Sequence, residues 1–176
     1  MTSLEQSKAL DEACRLVGRF LRYYAIMEHE LDLAMGKLLG LEEGIIDIIG
    51  ANIPLFKKVD VLFSAEKFLA AVPEQDREKF LKKTKSGISK LNRTRIIFAH
   101  CPFDAGANGG VSFRRVTAGG ELKVVMPDYS PPQIESECEM ALSLAEDLRR
   151  VVAEMKPYAP SLDFSDTRNS LYIAFL

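Results

Sequence analysis

Between Leu10 and Leu38 the apolar residues recur at alternating steps of three and four: Leu10, Ala13, Val17, Phe20, Tyr24, Met27, Leu31, Ala34 and Leu38. That spacing predicts one long helix of about 35 residues, on the order of 50 Å at 1.5 Å per residue. Gly40 follows as a C-terminal stop. The segment LEEGIIDIIGANIP then predicts a short apolar helix or turn closing over one end of the core. Pro54 suits the first turn of a second helix spanning 54–72, with Leu55, Val59, Leu62, Phe63, Phe68 and Leu69 available for packing, and Pro73 marks its end. A third helix runs from Glu74 to Ala99 on the seam Leu81, Thr84, Ile88, Leu91, Arg95, Phe98. A fourth, from Pro132 to Lys156, shows Ile134, Cys138, Ala141, Ala145, Leu148, Val152 and Met155. Four such seams predict an all-α fold, an up-and-down four-helix bundle.

Between the third and fourth helices the period changes. GGVSFRRVTAGGELKVVMP holds two β-rich runs around AGG, so a short β-hairpin is expected over 110–126. Residues 1–156 then form a single domain, and 157–176 a tail that loses periodicity but ends in the apolar SLYIAFL. Such an end is expected to dock, on this chain or a neighbour.

Composition adds limits. At 176 residues and 47% apolar the chain can bury a core without disulfides or metals. Cys14, Cys101 and Cys138 lie far apart and share no metal-ligand spacing, so the expectation is a reducing cytoplasm, with no metal centre and no cofactor. The N-terminus is charged from the start and no apolar run reaches spanning length, which predicts a soluble protein with no membrane partner.

The charge is unevenly placed. From Arg77 to Arg95 eight basic residues face the single acid Glu78, a net of +7, whereas Ile134 to Met155 carries a net of -4. One reading is that two neighbouring helices carry complementary solvated faces. The other is a phosphate-attracting surface on the third helix of a chain whose net charge is -2.

The third helix ends in LNRTRIIFAHCPF, which holds one of only two histidines. Lys79, Ser86, Arg93 and His100 fall on one polar line at seven-residue spacing. Arg95 instead stands between Leu91 and Phe98 on the apolar seam, where an unpartnered guanidinium costs several kcal/mol. Glu28 has the same character on the first helix, on a line with Cys14, Leu21 and Met35, so a Glu28–Arg95 contact is the expected supporting pair. His100 sits just before Cys101-Pro102, where a ring can either cap the helix or meet a substrate.

A helical bundle whose third long helix ends in Arg, four to six residues, then His resembles the HEPN superfamily. YYAIMEHELDLAMGKLLG is similar to the first-helix region of its small prokaryotic members, FKKVDVLFSAEKFL to their second helix, and ISKLNRTRIIFAH to the segment that carries the motif. The resemblance spans roughly residues 15–155 and implies a homodimer that binds RNA or a nucleotide. It further implies a metal-independent endoribonuclease of toxin or defence type, which would have a cognate antitoxin as a partner. Carried over, His100 is the catalytic histidine and Arg95 the arginine at the four-residue spacing, with Arg93 as the second candidate. Lys79, Lys90 and Asn92 on the same helix are the candidate substrate contacts. Ile96 departs from the polar residue that usually follows the arginine. The alternative is a non-catalytic bundle that binds a nucleotide or a protein.

Overall fold

The long apolar stripe forms a single helix, α1 (Ser3–Leu39), in the computed structural model, which describes residues 3–118 and 122–155. It buries Ala13, Val17, Phe20, Tyr24, Met27, Leu31 and Ala34 of the three-four stripe, while Leu10 at its start is exposed and Leu38 at its end only partly buried. Gly40 ends it with φ of 65°, and the Leu41 amide donates back to the Gly36 carbonyl at 2.9 Å, a left-handed C-terminal turn that glycine adopts without strain.

The apolar segment after it is α2 (Glu43–Asn52). The second predicted helix is two: α3 (Leu55–Ser64) and α4 (Glu66–Ala70), parted at Ala65, whose backbone is extended. A 3-10 turn at Glu74–Asp76 leads into α5 (Arg77–His100), and α6 (Pro131–Glu154) closes the helical set. The start of α6 is held by Gln133, whose Oε1 accepts from the Ser130 amide at 2.8 Å and from the Ser130 hydroxyl at 2.9 Å, with proline at the first helical positions.

The region between α5 and α6 is richer than one hairpin. β3 (Arg115–Ala118) pairs antiparallel with β4 (Leu122–Val125), which is the expected hairpin. A second sheet is made of β1 (Phe103–Ala105), β2 (Val111–Phe113) and β5 (Asp128–Tyr129) in the order β1-β2-β5, with Phe103 opposite Phe113 and Val111 opposite Tyr129. It is fastened to the helices by rings. Phe98 of α5 packs on Phe20 of α1 at 4.8 Å, on Phe113 at 4.6 Å and on Tyr129 at 5.0 Å between centroids. That cluster fixes the end of α5, where His100 stands.

The described chain is therefore a mostly helical protein carrying small antiparallel sheets. α1 is central: it packs along α6 and also meets α2, α3, α5, β1 and β2. Arg149 of α6 donates to the buried Glu30 of α1 at 2.5 Å, and Arg19 of α1 pairs with Glu135 of α6. The basic and acidic helices also meet directly, through Lys83–Asp147 at 2.5 Å and Lys90–Glu137 at 3.0 Å. No helix among the described residues is long and apolar enough to cross a membrane. The apolar end SLYIAFL, expected to dock, lies outside the described residues.

Candidate functional site

His100 is the last residue of α5. Cys101 turns to an extended backbone and Pro102 prevents continuation, so the imidazole stands at an exposed helix end. The side chain of Arg95, one and a half turns back, reaches forward until its Nη1 lies 3.3 Å from His100 Nε2. A guanidinium has donors only, so a hydrogen bond in this contact uses Nε2 as the acceptor. Arg95 is half-buried and Arg93 is exposed, and it is Arg95, expected against Glu28, that reaches the histidine rather than Arg93, which shares its polar line.

Beneath the pair sits Tyr24 of α1, buried, whose hydroxyl donates to Asn92 Oδ1 at 3.0 Å. Burial pushes the phenol well above its ordinary pKa, the Glu28 carboxylate adds to the rise and the Arg95 guanidinium opposes it. Tyr24 is thus a neutral donor throughout the physiological range. Because it occupies the carbonyl end of Asn92, the amide hydrogens of that side chain remain the group available for a ligand.

Glu28 is not the partner of Arg95. Its carboxylate lies 3.6 Å from Nζ of Lys58, a lysine only 2% exposed that also lies 2.6 Å from Oδ1 of Asp32. The expected pair fails because each member has a nearer group: α3 brings an ammonium to Glu28 and Asp32, one turn apart on α1, and Arg95 turns to His100. Glu28 and Arg95 are related only through Tyr24, whose hydroxyl feels both.

Two of the expected substrate contacts are placed elsewhere. Lys90 is engaged by Glu137, whose other oxygen accepts from Thr94 at 3.4 Å. Lys79 is near the opposite end of α5, sixteen residues from Arg95 and so roughly 24 Å along the axis. There it lines a different cavity with Lys83, Asp147 and Arg150. The site therefore gathers Arg95, His100, Asn92 and Tyr24, with Glu28 at its edge.

Sequence reasoning missed Tyr24 and Lys58. Tyr24 was hidden in the α1 stripe, where its ring packs and only its hydroxyl carries chemistry. Lys58 had a usable signal: it stands between Leu55 and Leu62 on the buried face of α3, the same intrusion of charge into a seam that singled out Arg95.

Among the described residues no group of three or more His, Cys, Asp or Glu is arranged to hold a metal ion. Compared with known proteins, the chain matches no family model, no curated protein and no solved structure.

Proposed function

We propose that this chain is a HEPN-like helical bundle that acts as a dimer on RNA, as a metal-independent endoribonuclease of toxin or defence type. The observation that carries the reading is the Arg95–His100 contact at an exposed helix end, 3.3 Å between Nη1 and Nε2. RNA holds its own nucleophile. Once Arg95 turns from Nε2 to the phosphate, the freed nitrogen of a neutral histidine can take the proton of the 2′-hydroxyl as its oxygen attacks phosphorus, while the guanidinium balances the charge of the pentacoordinate phosphate. The 5′-oxygen departs with a proton supplied by the imidazolium of a second copy, leaving a 2′,3′-cyclic phosphate. Asn92 donates its amide hydrogens to a phosphate oxygen, held in that orientation by Tyr24.

On this reading the dimer contact falls at Ile96. It is 42% exposed and adjoins Arg95, an apolar contact that a twofold axis through this face would bury twice while bringing two Arg95–His100 pairs together. The test is cleavage of single-stranded RNA in EDTA. Wild type is expected to leave cyclic phosphate ends and His100→Ala to leave the RNA intact. Cutting that needs a metal, or that persists in His100→Ala, overturns the mechanism.

A second reading is favoured by Lys83–Asp147 and Lys90–Glu137, which consume two of the basic residues of α5 within the fold. It makes the chain a non-catalytic module that binds a nucleotide or a protein. Intact RNA with wild type together with retained binding of a labelled nucleotide would select it.

A further inference from the structure

α1, α2 and the start of α3 line an open cavity of about 570 Å³. That volume suits a small molecule. Its polar lining is Glu28, His29, Asp32, Asp47, Asn52 and Lys58, of which only Glu28 also borders the Arg95–His100 site. Three carboxylates face one ammonium, so carboxylates outnumber lysine by two along the lining. The C-terminal end of α2 and the N-terminal end of α3 meet at Ile53–Pro54, so their dipoles oppose one another and the side chains decide the sign.

Hydrogen-bonding capacity points the same way. Asn52 Nδ2 donates to the Ile48 carbonyl at 2.7 Å, which leaves its Oδ1 as an acceptor. Asp32 Oδ1 is sealed from solvent and ion-paired with Lys58 Nζ at 2.6 Å, so the carboxylates left open to a ligand are those of Glu28 and Asp47. The Asp32 carboxylate lies against Gly50, where a Cβ would come within 2.9 Å of its Cγ and both oxygens. Acceptors and negative charge thus outnumber donors in a concave, partly apolar chamber.

We propose that this cavity binds a small organic cation whose head is an alkylammonium or guanidinium group. The head pairs with Asp47 and Glu28, and Lys58 stays on Asp32 as the fixed floor. The cavity lies outside the Arg95–His100 pair and shares only Glu28 with its surroundings. It is tested on the full chain by isothermal titration and thermal melting with agmatine, putrescine and inorganic phosphate at matched ionic strength. Saturable binding of agmatine or putrescine is expected, weakened about tenfold by Asp47→Asn and by Glu28→Gln, as for loss of one charge-assisted bond. His100→Ala, outside the cavity, should bind as wild type. No saturation by about 10 mM amine, a preference for phosphate, or unchanged binding in both Asp47→Asn and Glu28→Gln would overturn it.

Discussion

Replacing Lys58 by methionine keeps the length and most of the volume of the side chain and removes only its charge. In the folded chain Lys58 is 2% exposed, with Asp32 at 17% and Glu28 at 35% for their side chains. Methionine leaves two carboxylates one helical turn apart, facing an apolar group. Breaking a buried ion pair from one side costs about 3–5 kcal/mol, and the partial exposure of Glu28 places this case near about 3. For a chain of this size that loss lowers the melting temperature by roughly 6–12 °C. Urea unfolding followed by circular dichroism measures it directly. The second arm is Lys58→Met with Asp32→Asn, which removes the stranded charge as well. It should recover at least about 1 kcal/mol relative to the sum of the single changes, within the usual range for residues in contact. A Lys58→Met protein within about 0.5 kcal/mol of wild type, the scatter of surface substitutions, would refute the reasoning, and so would strict additivity of the pair.

Three further outcomes are expected. Tyr24 has a raised folded pKa, so above about pH 10 the unfolded chain releases a proton that the folded chain retains, and stability falls as pH rises; Tyr129 and Cys138, also raised chiefly by burial, act in the same direction. Tyr24→Phe should flatten that alkaline decline in a melting series while losing about 1 kcal/mol at neutral pH with the Asn92 hydrogen bond, and an unchanged alkaline slope would count against the buried hydroxyl. On the proposed reading, Ile96→Glu should sediment as a monomer and leave RNA intact while its circular dichroism spectrum stays that of the folded wild type, because Ile96 is exposed. Phe98→Ala should cost about 3–5 kcal/mol in urea unfolding, since the ring holds Phe20, Phe113 and Tyr129 together.

The helices were legible in proportion to their length. α1 repeats its apolar step over many turns, so errors at single positions average out and its bounds came within a few residues. The break at Ala65 carries no proline or glycine, and nothing local distinguishes it from a helical alanine. β1 and β5 have three and two residues, too few for a period of two to register. Their existence depends on pairing with β2 and on the rings of Phe98, Phe113 and Tyr129, which are distant in sequence. Such strands form because the cluster buries them, and a window of sequence contains only one side of it.

Charge on an apolar seam was a dependable marker of anomaly and a poor guide to partners. Arg95, Glu28 and Lys58 all intrude on buried or half-buried faces, and all three have an ionic or hydrogen-bonded neighbour. Which neighbour depends on the rotation of each helix about its axis and on its depth of packing, and the periodicity of one helix does not contain either quantity for another. The result is that Glu28 belongs to two environments: its charge is felt by the Tyr24 hydroxyl beneath Arg95, and its carboxylate forms part of the cavity wall beside Lys58. A cation paired with Glu28 would weaken the carboxylate's effect on Tyr24 and leave that of Arg95. The orientation of Asn92 is set by the Tyr24 hydrogen bond, so the acidic cavity and the arginine-histidine pair are joined by one buried phenol.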